Sequence, residues 1–314
     1  MALPTRPIGR TGLSTTLLSL GTWGLAEQAY GPVERKDFEA TVDAAFEAGI
    51  RTFDMAPLWG NGLAEEVVGE VLGERRSECL LVTRVGAERK GSDVLRPFDP
   101  KYVVAVCDES RERLGTSHLD VLLLHEPLEK VLVHGASVKA LAQLVGEKAI
   151  RAWGVSVSTA ERARIALSLG AKILVLPYHL LASDLFLELE PEIEMAGAAV
   201  FARSPFAHGL LFGQWKVGRT FPPGDHRKER WSETSLELRL RHVDALRFLV
   251  KGDVPTLGAA ALRYVLSSPY VASAIVGAHT PEQVRELAAW TEGGDLLPED
   301  DLARIPQVLS ALGA

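Results

Sequence analysis

Residues 49–72 read GIRTFDMAPLWGNGLAEEVVGEVL. The short, largely apolar run RTFDM (51–55) stops at an Ala-Pro-Leu-Trp-Gly-Asn-Gly loop, and a helical pattern then covers 64–73. This is one strand–loop–helix unit. A short apolar run bounded by turn residues suits a strand of a parallel sheet buried on both faces. Asp54 ends that run, where a polar group without a partner would be costly.

Similar units lie on both sides. LLSLG (17–21), CLLVT (79–83), LDVLLLH (119–125), IRAWGVSV (150–157), KILVLP (172–177), AVFARS (199–204) and ASAIVG (272–277) are further strand candidates. Helical patterns cover 34–48, 101–114, 137–146, 159–169, 257–267 and 281–291, with a weaker one at 187–197. Thr280 reads as an N-cap before Pro281 and Glu282, and Gly49, Gly115, Gly146 and Gly170 stand where helices should stop. Eight strands, each followed by a helix, close by right-handed crossovers into an α/β fold, a (β/α)8 TIM barrel.

PIGRTGLS (7–14) reads as a hairpin capping the barrel bottom, and 298–311 as an extra helix. Without a linker or repeat, one barrel domain over 1–314 is expected. After the seventh strand, 205–235 is too long for an ordinary barrel loop, so it is functional or mobile. A solvated charged loop is the plainer reading of Arg219, His226, Arg227, Lys228 and Arg230. A cover over the mouth is the alternative.

Composition bounds the partners. The 314 residues are 47% hydrophobic and 24% charged, with a net charge of −7. That balance suits a globular chain with a large core and argues against nucleic acid or an anionic membrane. No apolar run approaches a membrane span, and MALPTRPIGR (1–10) lacks the apolar core of a secretory signal. A cytoplasmic protein with a small-molecule substrate or ligand is expected. Cys79 and Cys107 read as buried thiols without partners at metal or redox spacing, and no metal is expected.

In such barrels the site gathers at the C-terminal ends of the strands. The residues there are Trp23 and Glu27–Tyr30, then Asp54 and Trp59, then Arg84, then His125 and Glu126. Ser156, Tyr178 with His179, Arg203 with Ser204, and Gly277 with His279 complete the ring. Polar and titratable groups thus collect at one mouth.

The opening stretch, LVTRVG (81–86), LDVLLLHEP (119–127), AWGVS (152–156), SPFAHGLLFG (204–213) and VGAHTPEQV (276–284) resemble, in order and spacing, the landmarks of the aldo-keto reductases. The resemblance spans nearly the whole chain. It implies NADP(H) and four catalytic side chains: Asp, Tyr, Lys and His. Tyr protonates the carbonyl oxygen as hydride arrives, Lys paired with Asp lowers the Tyr pKa, and His orients the carbonyl. Asp54 and His125 match. The Tyr position is Trp59 and the Lys position is Arg84. An indole N–H donates a hydrogen bond but does not release its proton at physiological pH. Arg84 stays charged and can grip Asp54 bidentately, in an ion pair that is structural or anchors an anionic ligand. The family's nicotinamide contacts, an Asn, a Gln and a stacking Tyr, fall at Val157, Val175 and Arg203. What the resemblance leaves for a cofactor is Ser156, Ser204, Gly209, Gly277, His279 and Gln283, the phosphate and adenine end.

Three readings follow. The first is an enzyme with redox-neutral acid–base chemistry by Asp54 and His125, with Glu126 or Tyr30 as further candidates. The second is an NADP(H)-dependent carbonyl reductase or alcohol dehydrogenase with a substitute donor such as Tyr30, Tyr178 or His125. The third is a non-catalytic ligand-binding or regulatory relative.

Overall fold

The computed structural model describes residues 3–291 and 296–312. Eight parallel strands form a closed barrel: β1 (Leu18–Gly21), β2 (Thr52–Asp54), β3 (Leu80–Val85), β4 (Leu119–His125), β5 (Ile150–Ser156), β6 (Ile173–Pro177), β7 (Ala199–Arg203) and β8 (Val271–Val276). Each pairs with the next in sequence, and β8 closes on β1 with Ala274 opposite Leu18. All eight strand candidates are strands, and each expected helix is present within a few residues. Even the weak 187–197 pattern belongs to a helix, Asp184–Ala196. The caps are of the expected kind. Thr280 accepts from the Gln283 N–H, and Asp99 accepts from Lys101 and Tyr102 at the start of the Pro100–Arg113 helix.

Two apolar layers hold the barrel. Phe38, Phe53, Leu81, Leu122 and Phe186 belong to the large core shared by strands and helices. Leu80, Val82, Val121, Leu123, Ile173, Val175 and Phe201 fill the barrel itself. The hairpin of Thr5–Pro7 and Ser14–Thr16 contributes Ile8 and Leu13 to that inner cluster, so it plugs the barrel bottom. Gly154 is required by packing, because a Cβ there would lie 2.1 Å from the Ile173 carbonyl oxygen.

Strand side chains alternate between the two layers with a period of two. This fixes the top layer of the barrel. Above Thr52 stands Asp54, above Val82 stands Arg84, above Leu123 stands His125, and above Phe201 stands Arg203. Ser156 and Gly21 end β5 and β1 in the same way.

Several elements were not expected. The hairpin Glu88–Lys90/Asp93–Leu95 follows β3, and helices span Glu129–His134 and Glu233–Ala245. The expected 298–311 helix runs from Glu299 to Ser310. No helix among the described residues is long and apolar enough to cross a membrane. Cys79 and Cys107 are free and buried, and burial pushes each thiol up to about 11.

Candidate functional site

A cavity of about 710 Å³ opens at the C-terminal end of the barrel. That is the size range of small-molecule and cofactor sites. The whole top layer lines it: Gly21, Asp54, Arg84, His125, Ser156 and Arg203. Trp59 from the β2 loop and Glu126 from the β4 loop join them.

Asp54 and Arg84 form a buried ion pair, with Oδ1 and Nη2 2.8 Å apart and side-chain exposures of 3% and 4%. The grip is not the bidentate one that Arg84 could make. Arg84 turns its Nη1 to the Met55 carbonyl at 2.6 Å, and Oδ1 lacks an aligned hydrogen bond despite the close charge. With Nη1 on the backbone, the end-on Nη1/Nη2 fork is not offered to the carboxylate. Burial pushes the Asp54 carboxyl up, against the pull of Arg84. The Arg84 guanidinium carbon also lies 4.8 Å from the Trp59 ring centre, within cation–π range.

His125 faces Trp59 edge-on, with ring centres 6.5 Å apart. Burial holds the imidazole well below the ordinary histidine value, and the charges of Arg84, Arg96 and Arg203 add to the effect. His125 is therefore neutral at physiological pH.

Arg203 donates Nη2 to Ser158 Oγ at 2.7 Å and approaches Glu126 Oε1 at 3.4 Å. Ser158 in turn donates to Glu126 Oε1 at 2.8 Å. Arg162 stands 3.8 Å from the other Glu126 oxygen. Of the three positions where the family's nicotinamide contacts fall, Val157, Val175 and Arg203, only Arg203 reaches the cavity. Val157 follows the inward Ser156, so alternation turns it into the strand–helix core, and Val175 lies one layer down in the barrel interior.

Of the residues assigned to the cofactor end, Ser156, Ser204, Gly209, Gly277, His279 and Gln283 all line the cavity. Gln283 is already engaged, since its Oε1 accepts the His279 N–H at 2.8 Å. His279 packs against Tyr30, ring centres 5.0 Å apart. Of the substitute acids, Tyr30 lines the cavity and burial pushes its phenol up to about 12. Tyr178 instead stacks on Phe186 away from the cavity, and burial raises its phenol too.

The stretch 205–235 covers part of the mouth. Trp215, Arg227 and Arg230 line the cavity; Arg227 is half-buried, so the solvated-loop reading does not hold for it, whereas Arg230 stays exposed at the rim. Asp225 accepts the Arg227 backbone N–H at 2.9 Å and its guanidinium at 2.6 Å. The His226 N–H binds the Ala29 carbonyl at 2.9 Å, which ties this segment to the β1 loop. Arg219 and Lys228 are exposed.

Among the described residues, seven non-glycine residues have positive φ, and six of them, Gln28, Asn61, Glu126, Ser204, Ala207 and His208, sit in loops above the barrel top. Such conformations cost free energy and gather at functional sites. Among the described residues, no cluster of three or more His, Cys, Asp or Glu is placed to hold a metal ion.

Known proteins resemble the chain along nearly its full length. A pyridoxal 4-dehydrogenase of Microbacterium luteolum is 29% identical over 91% of this chain and 92% of its own. A putative voltage-gated potassium channel subunit beta of Schizosaccharomyces pombe is 30% identical over 98% and 94%. The structure of a glycerol dehydrogenase from Gluconobacter oxydans superposes with a TM-score of 0.87 at 27% identity, covering 99% of this chain and 96% of that one. The model of the aldo/keto reductase family matches residues 17–310, and the chain belongs to that family.

Proposed function

We propose that the chain catalyses redox-neutral proton transfer at a carbon next to a carbonyl group, in a small molecule held at the barrel mouth. The setting of His125 carries this reading. A neutral imidazole stands beside the Trp59 indole and the fixed Arg84 guanidinium, facing one cavity. These groups polarise a carbonyl oxygen and hold negative charge on it, and none of them is a ready general acid. Burial, with the arginine charges added to it, removes His125 from the role of titrating base given to it above and leaves it a hydrogen-bonding role. Asp54 fixes Arg84.

Asp54, Glu126 and Glu286 line the cavity; Asp54 is engaged by Arg84, and Glu126 stands beside the top-layer Arg203. Glu126 takes the proton from carbon, and the C–H electron pair moves into the carbonyl to give an enolate. Return of the proton to the same carbon, on the same or the opposite face, completes an exchange or a racemisation. No electrons enter or leave.

The family typically works with NAD(P)H, and these residues do not fit its nicotinamide. Val157 and Val175 offer no amide and do not reach the cavity, while the wall position expected to stack on the ring is the charged Arg203. The cavity and the Pro281–Ala289 helix start suit phosphate, which supports a reductase as the second reading, along with relatives named as dehydrogenases. Its substitute acid would be Tyr30, whose phenol burial has made a weaker acid.

The test is deuterium exchange followed by proton NMR. Pyruvate, 2-oxobutyrate and phenylpyruvate, with their methyl esters, are incubated with the protein in D2O. Wild type should speed loss of the signal from the proton next to the carbonyl. Glu126→Gln should abolish the effect, and His125→Ala should lower it about 10²–10³-fold. No acceleration with any compound would overturn the reading.

A further inference from the structure

The arginines of the mouth are unevenly matched with acids. Arg84 faces Asp54, and Arg227 is held by Asp225. Arg203 and Arg162 share the single carboxylate Glu126, at 3.4 and 3.8 Å. Arg230 lines the cavity without a carboxylate partner among the described residues. The surplus charge is felt nearby. His125, His179 and His208 are all depressed first by burial and then by arginines, and no carboxylate offsets the effect at any of them.

Arg203 and Arg84 both stand in the barrel's top layer, and of the two only Arg84 faces a buried carboxylate of its own. Arg203 ends β7 one layer above Phe201, on the cavity wall, and its Nη2 is anchored through Ser158. Its Nε is buried without a partner among the described residues, and its Nη1, which is not buried, makes no hydrogen bond either. A partly desolvated guanidinium with an idle donor is costly unless something completes it.

We infer that Arg203, with Arg230 at the rim, is a carboxylate seat, and that the substrate is a small carbonyl compound bearing a carboxylate. This inference rests on the proposed proton-transfer reading and specifies its substrate class. A carboxylate of the substrate takes the unsatisfied side of Arg203 and competes for it with Glu126, whose hold at 3.4 Å is loose. Glu126 is thereby freed as the base. The same negative charge offsets the arginine field around the carbonyl-binding donors. The seat occupies the wall where the family's ring-stacking side chain is expected, so anion and nicotinamide exclude each other there.

The experiment is isothermal titration of the full chain with pyruvate, 2-oxobutyrate and phenylpyruvate, each beside its methyl ester, with inorganic phosphate and NADP+ as controls. At least one acid should bind ten- to a hundredfold tighter than its ester, since a charge-assisted pair is worth about 1.5–3 kcal/mol. Arg203→Met should bring that ratio close to one. Arg203→Lys should restore part of it, and circular dichroism should report an intact fold in both. NADP+ should weaken binding of the acid. Equal binding of acid and ester, an unchanged ratio in Arg203→Met, binding of phosphate alone, or no binding of any acid overturns the seat. An Arg203-dependent preference without deuterium exchange leaves the seat standing and sinks the proton-transfer reading. Exchange with no acid preference does the reverse.

Discussion

Arg84 Nη2 stands 2.8 Å from Asp54 Oδ1 at the top of the barrel, with neither side chain more than 4% exposed. The pair joins β2 to β3 and sets the floor of the cavity. Removing one partner strands a buried charge, whereas removing both does not. Asp54→Ala should therefore lose about 3–5 kcal/mol in urea unfolding, and the Asp54→Leu, Arg84→Met double variant clearly less. A double variant as unstable as the single one would mean the pair is not the source of the loss.

Acid should destabilise the protein through its histidines. Burial, helped by arginines, depresses His179 to about 4, His226 to about 4 and His208 to about 3, and takes His125 well below its ordinary value. Each binds a proton more weakly folded than unfolded. Their contribution is thus fully present above about pH 6.5, the unfolded value, and is lost as pH falls below it. For the buried His179 the slope reaches ~1.4 kcal/mol per pH unit. The raised Asp54 carboxyl acts in the opposite sense. Urea midpoints at pH 7, 6 and 5 should fall in that order, and less steeply in His125→Gln. A flat series would contradict the neutral histidines.

The cover over the mouth hangs on Asp225, whose side chain is 1% exposed and holds Arg227 at 2.6 Å. Asp225→Ala frees that arginine and the segment around it. Limited trypsin digestion should then cut after Arg227, with little change in global Tm. An unchanged digest would show that the aromatic contacts among Trp215, Phe221 and Trp231 hold the segment without the ion pair.

Restoring the family's acid should not restore its chemistry. Trp59→Tyr with Arg84→Lys supplies a phenol and an ammonium but leaves Arg203 on the wall. No NADPH-dependent reduction of aldehydes is expected from this double variant. Adding Arg203→Tyr should raise NADPH affinity at least tenfold in a fluorescence titration. Reduction by the double variant alone would show that the nicotinamide still finds its place.

The barrel was legible because most of its strands are buried on both faces and read as nearly continuous apolar runs between helical patterns. Asp54, Arg84, His125 and Arg203 were legible as strand-end residues, and period-two alternation from Val82, Leu123 and Phe201 would also have given their inward direction. The same rule would have turned Val157 outward. The Arg203–Ser158–Glu126 cluster was not legible, because it joins the end of β7 to the loops after β4 and β5. The helix Glu233–Ala245 was missed because it alternates charged and apolar residues closely and buries little beyond Leu236, Leu240 and Val243. The hairpin after β3 is exposed throughout and carries no apolar pattern.

One measurement bears most directly on the chemistry of the mouth. The protein is mixed with 2-oxobutyrate and equimolar NADPH in D2O and followed by proton NMR, which reads exchange and reduction in the same sample. The expected result is loss of the signal next to the carbonyl, with the NADPH signals unchanged and no hydroxy acid formed. Appearance of 2-hydroxybutyrate with matching loss of NADPH would contradict it.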